Sequence, residues 1–203
     1  NLNIVNAKYF LIAQSEHLLR EKQIVDKIKE KYNVTFIAID KLTEGTACTI
    51  LYARQYIDNE LPLLIANSDQ IVDIDMNDFI NDAKNKSLFG SILTFIDETM
   101  NPKWSFVKKN DSGFVEEVKE KVAISNEATV GIYYFQKGSY FVNAAIQMII
   151  ENDRVNNEFY TCPVYSYMIK NEMKIGTYRI PFVAMHGIGT PEDLKTYVNS
   201  FSK

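Results

Sequence analysis

The chain has 203 residues, is 46% hydrophobic and 24% charged, and carries a formal net charge of −4. That length supports one sizeable α/β domain with a core of its own, and the acidic balance leaves no basic stripe to cover phosphates, which excludes a general nucleic-acid binder. No apolar stretch approaches the ~20 residues of a membrane span, while two distant cysteines (Cys48, Cys162) and two histidines (His17, His186) exclude a CxxC site and a multi-histidine metal site.

Ala7 to Ala13 (AKYFLIA) reads as a buried strand, and Ser15 as the N-cap of a helix running to about Tyr32, with Leu18, Val25 and Ile28 on one face. The charged run Lys27 to Lys31 is its solvated side. Val34 to Ile39 (VTFIAI) is a β-branched strand, Thr46 to Ile57 a helix, and Leu63 to Ala66 a strand again. Such alternation predicts a Rossmann-like, doubly wound parallel sheet. The pattern then tightens into closely spaced strands at Phe89 to Phe95, Trp104 to Lys108, Phe114 to Lys119 and Thr129 to Phe135, with a turn at Asn110-Asp111-Ser112-Gly113. Helices follow from Ser139 to Glu151 and from Pro163 to Ile169, then a strand at Ile175 to Ile180. Thr190-Pro191-Glu192-Asp193 is a strong helix start: a cap hydroxyl, proline at the first position, then acids on the positive dipole end. The expected fold is α/β, an open mixed sheet with a mostly parallel core and antiparallel additions, in one domain of two halves, 1–85 and 86–203.

Three stretches carry candidate chemistry. In an open parallel sheet, ligands bind at the carboxyl ends of the strands, and Asn67-Ser68-Asp69 ends one. It reads either as an ordinary turn or as a site where Asp69 holds Mg²⁺, a hard cation usually shared with substrate phosphates. Asp73 and Asp75, further on, read as caps of a helix near Asn77 to Ala83. Leu42 to Ala47 (LTEGTA) lies between a strand and a helix. Its Gly45 either makes a plain turn or lets the backbone approach a flat ring or a phosphate closely. Glu120-Lys121, taken alone, is the polar end of an amphipathic strand.

"LTEGTACTILYAR", "PLLIANSDQIVD", "GFVEEVKEK", "EATVGIYYF", "NEFYTCPVYSYMI" and "HGIGTPEDL" occur in this order. The series resembles the sugar-phosphate nucleotidylyltransferases, in particular their bacterial capsule-type branch, over nearly the whole chain. The resemblance implies a nucleotidyltransferase of the GT-A type fold that joins a nucleoside triphosphate to a small phosphorylated acceptor and releases pyrophosphate. It implies that Thr43, Gly45, Ala47 and Ser68 serve the nucleotide, making 1–85 the nucleotide-binding half and 86–203 the acceptor-binding half. Asp69 would be the Mg²⁺ ligand. Glu120 and Lys121 would match the family's Glu-Lys pair, the Lys on the acceptor phosphate, with Gly131 and Glu158 as further acceptor contacts. Asp69 and Lys121 would be the catalytic pair.

Two departures accompany the resemblance. The family's glycine-rich loop with an arginine and then a lysine, which follows its first strand and cradles the triphosphate, has no match here, so this chain alone is expected to be poorly active. Gly187 stands where many members place a second metal-binding aspartate, with His186 beside it. The partners implied are the triphosphate and the acceptor, with no nucleic acid or membrane, self-association left open, and a cytoplasmic setting in surface-polysaccharide precursor synthesis. Two other readings stay open. One is a GT-A glycosyltransferase using Asp73 and Asp75 for metal, and the other a non-catalytic nucleotide-binding domain.

Overall fold

The structure, a computed structural model, describes residues 3–200. Its centre is β8 (Glu127–Phe135), nine residues buried along their whole length. Such a strand needs cover on both faces, and its run EATVGIYYF shows no polar alternation. Val130, Ile132 and Tyr134 enter one apolar cluster with Met76, Phe79 and Ala83 of α5 (Met76–Asn85). Tyr133 and Phe135 enter the opposite cluster with residues of α6 (Gly138–Ile150) and α7 (Val164–Lys170). The result is a helix, sheet, helix sandwich.

One edge of β8 pairs with β5 (Gly90–Ile96). The other is shared between β3 (Leu63–Ala66) and β6 (Ser105–Lys109). Beyond them, β7 (Val115–Glu120) extends β6, and β9 (Ile175–Arg179) extends β5. The fold is mixed α/β as expected, but the balance of directions differs from a mostly parallel core. In this sheet β5–β9 is the parallel pair, and every pairing of β8 is antiparallel. The tight turn at 110–113, in which the Asn110 side chain accepts from the N–H of Ser112 and Phe114, can only reverse the chain and so sets β6 antiparallel to β7.

The front of the chain forms a separate two-stranded parallel sheet, β1 (Tyr9–Gln14) with β2 (Val34–Ile39). Phe10, Ile12 and Ile37 pack on the same cluster as Ile65 of β3, yet β1 pairs only with β2, and β3 only with β8. One edge of each therefore stays unpaired among the described residues.

Two expected helices are each split. Ser15 to Tyr32 is α1 (Ser15–Arg20) and α2 (Lys22–Lys31), and Thr46 to Ile57 is α3 (Thr46–Leu51) and α4 (Arg54–Ile57). Ser15 is the first helical residue rather than the cap. Its hydroxyl donates instead to Asp40 Oδ1 at 2.6 Å. A further small sheet joins β4 (Gln70–Val72) to β10 (Met185–Gly187), and α8 (Pro191–Ser200) follows it. Thr190 caps α8 as expected, its hydroxyl accepting from the Asp193 N–H at 3.1 Å.

Candidate active site

β3 stops at Ala66 because the next residue turns its polar groups toward β8. The Asn67 N–H donates to Gly131 O at 3.1 Å, and the Asn67 side chain fills the space beside Gly131 where a Cβ would stand. Gly131 has φ +90° and sits where the β5–β8 register shifts, a bulge at the point where β8 passes from β6 to β3. Its close approach is thus to Asn67, which places the two stretches side by side.

Asp69 follows, exposed, and its carboxylate has no hydrogen bond or ion pair among the described residues. The final glycine-rich turn folds onto it. The Ile188 N–H donates to Asp69 O at 2.8 Å, and a Cβ on Gly189 would lie 3.0 Å from Asp69 Oδ2. No group of three or more His, Cys, Asp or Glu side chains is gathered for a metal among the described residues. Mg²⁺ does not need one, since it keeps waters and takes one or two carboxylates beside substrate phosphates. A single uncommitted carboxylate at a strand end fits that donor set. Ser68 beside it is exposed.

The neighbouring acids are spoken for. Asp75 caps α5, accepting from the Asn77 N–H at 2.8 Å. Asp73 Oδ2 lies 2.6 Å from His186 Nε2, and the His186 ring packs on Tyr197 with centroids 5.2 Å apart. His186 therefore ties β10 to β4 and is not turned to Asp69. Nothing lies within 4 Å of a Cβ built on Gly187.

Gly45 has φ +116° and ψ 173°, backbone reserved for glycine. The surface that approaches it is the chain itself. A Cβ there would lie 2.5 Å from Phe159 N and O. Phe159 N–H donates to Glu44 O at 2.7 Å, and Ala47 N–H to Phe159 O at 2.9 Å. Arg154 closes the junction, 2.5 Å from Glu44 and 4.1 Å above the Phe159 ring. Ala47 is wholly buried with its N–H used, so it supports this loop from the core side. Thr43 is half-buried, and its hydroxyl bonds Gly45 O at 3.1 Å and the Thr49 hydroxyl at 2.5 Å.

On the other side of the same segment lie the acceptor candidates. Glu120 is buried at the end of β7, where Ser105 donates to its carboxylate. Burial pushes its carboxyl above the usual carboxylate range. Lys121 leaves the strand in the left-handed conformation, φ +57°, with its N–H on Trp104 O at 3.0 Å. Its ammonium donates to Tyr160 Oη at 2.6 Å, which, with the charges of Glu120 and Glu158, raises its affinity for its proton. Glu158 is exposed and near enough to act electrostatically on both.

Residues 154–161 are thus the hub. Phe159 rests on the Gly45 loop, Thr161 N–H donates to Thr46 Oγ1 at 3.0 Å, and Tyr160 holds Lys121. Of these, sequence reasoning found Glu158 alone. Phe159, Tyr160 and Arg154 carry no local signal, because their partners stand tens of residues away. Asn67 lay inside a quoted stretch, but its contact to Gly131 depends on strand pairing.

Comparison with known proteins follows the same lines. A family model described as nucleotidyl transferase matches residues 3–193. The fold is similar to the nucleoside-diphosphate-sugar pyrophosphorylase of Vibrio cholerae RC9. The TM-score is 0.79 at 18% identity, over 96% of this chain and 81% of that one. It is also similar to a Bacillus anthracis protein assigned as a glucose-1-phosphate thymidylyltransferase and solved with a sucrose. There the TM-score is 0.69 at 14% identity, over 92% of this chain and 73% of that one. No curated protein matches the sequence.

Proposed function

The chain belongs to the nucleotidyl transferase family, and from that premise we propose that it transfers a nucleoside monophosphate from a triphosphate to a small phosphorylated acceptor. An oxygen of the acceptor's phosphate attacks the α-phosphorus. The bond from that phosphorus to the bridging oxygen breaks, and pyrophosphate leaves with the electron pair. Two anions must be aligned and their repulsion neutralised, so the protein's task is positioning and charge.

The observation that carries this reading is Asp69, an uncommitted carboxylate at the end of β3 with the 187–190 turn folded over it. Asp69 would hold Mg²⁺, which would supply positive charge between the phosphates. Lys121 binds the acceptor's phosphate, and Glu120 and Glu158 accept from its hydroxyls. The Gly45 loop, braced by Phe159, borders the base. A sugar phosphate is the acceptor class we favour, on the resemblance to capsule-type enzymes, with a cytoplasmic role in surface-polysaccharide precursor synthesis. Asp73 and Asp75 are engaged by His186 and Asn77, which speaks against a glycosyltransferase metal site there.

The test is a panel of nucleoside triphosphates against sugar 1-phosphates and other small phosphomonoesters, scored by pyrophosphate release. One pair should give acceptor-dependent release. Triphosphate binding with no release from any pair would leave a nucleotide-binding domain and overturn the reading.

A further inference from the structure

Lys121 has two carboxylates for neighbours and an ion pair with neither among the described residues. The charges of Glu120 and Glu158 both act on it, yet its ammonium is hydrogen-bonded to the neutral Tyr160 hydroxyl at 2.6 Å, with the ring centroid 4.6 Å away. We propose that Tyr160 is the positioning residue of Lys121 and the second hydrogen-bond donor of a two-donor anion site for the acceptor's phosphate. The identity of that anion rests on the nucleotidyl transfer reading above.

The chemistry follows from which atom gives the proton. The ammonium donates to Tyr160 Oη, so the phenol keeps its own O–H, which donates to no atom among the described residues. A phosphate oxygen can accept from both groups. Had the ammonium closed onto Glu158, the carboxylate would have cancelled its charge toward an incoming dianion. A phenol holds the side chain without cancelling anything. Both partners are fixed from behind. Lys121 sits in left-handed backbone with its N–H on Trp104 O. The main chain on either side of Tyr160 is pinned to the Gly45 loop, through Phe159 to Glu44 and Ala47 and through Thr161 to Thr46. Tyr160 therefore also ties the acceptor's anion to the loop proposed for the base.

The experiment is an NMR titration of the protein, labelled at lysine and tyrosine, with inorganic phosphate. Lys121→Met and Tyr160→Phe assign the two signals. The Lys121 and Tyr160 resonances should move along one binding curve. Tyr160→Phe, which keeps the ring, should weaken phosphate binding roughly fivefold, the scale of one lost hydrogen bond, with the thermal midpoint unchanged. Unaltered phosphate affinity in Tyr160→Phe would overturn the proposal. So would a wild-type Tyr160 signal indifferent to phosphate. If phosphate binds as expected while every triphosphate and acceptor pair fails to release pyrophosphate, the anion site stands and the transfer reading falls.

Discussion

At Asp69, Asp73 and Asp75 the same carboxylate meets three surroundings. Asp75 is spent on the Asn77 N–H at the start of α5, and Asp73 on His186, while Asp69 faces solvent beneath Gly189. Asp75→Ala should cost about 1 kcal/mol, the usual worth of a cap, visible in a urea midpoint, and leave pyrophosphate release intact. Loss of release in that variant would revive a metal role for Asp75. Asp69→Asn should lower release about 100-fold, the scale of removing one preorganised stabilising group, with an unchanged circular-dichroism spectrum. Near-normal rates at low Mg²⁺ would remove Asp69 from the mechanism. Glu120 offers a pH test. Burial raises its carboxyl above the unfolded chain's value, so between those two values the native state binds more protons. Stability therefore falls as pH rises through that window. Glu120→Gln should gain thermal midpoint relative to wild type on going from acid to neutral pH, and a pH-independent difference would refute the assignment.

Elements here are placed by what presses on their ends. Gly45, in a glycine-only conformation, has the main chain of Phe159 where a Cβ would go, whereas Gly113, φ +81°, has nothing within 4 Å. Gly113→Ala should cost about 1 kcal/mol for backbone conformation alone. Gly45→Ala should cost more than about 2 kcal/mol, since Phe159 must also move, and it should loosen the Tyr160–Lys121 contact carried by the same segment. Equal urea midpoints for the two variants would mean that the 44–47 and 159–161 junction yields freely. The bounds of Val34–Ile39 and Leu63–Ala66 were legible to the residue, because apolar runs between turn residues mark strands locally. The breaks at Glu21 and after Leu51 were not, since no glycine or proline marks either.

For the whole molecule, burial is uneven. No residue of α1 or α2 is buried and, among the described residues, β1–β2 pairs only with itself, whereas every residue of β8 is buried. Opening costs least where few apolar contacts are broken. In hydrogen exchange read by mass spectrometry, residues 9–39 should exchange well before 90–96 and 127–135. Simultaneous protection of both would show that the front sheet is bound to the rest more firmly than its pairing accounts for.

The sequence by itself determined the local pieces. These are the strand and helix periodicities, the Thr190 cap, the 110–113 turn, and the carboxylate at the end of Leu63–Ala66 that marks the candidate site. Each depends on residues a few positions apart, where backbone preference and side-chain chemistry act directly. Tertiary structure alone decided the antiparallel setting of β8, the pairing of β4 with β10, the contact of Phe159 with Gly45, and the choice of Tyr160 over Glu158 for Lys121. It also spent His186 on Asp73 and sealed Ala47 in the core. Lys121 and Tyr160 stand 39 positions apart, and Thr46 and Thr161, joined at the same junction, 115. Nothing in either local stretch registers the other until the sheet closes, because such a contact exists only once the loop-closure entropy between its ends has been overcome by the packing of the whole core.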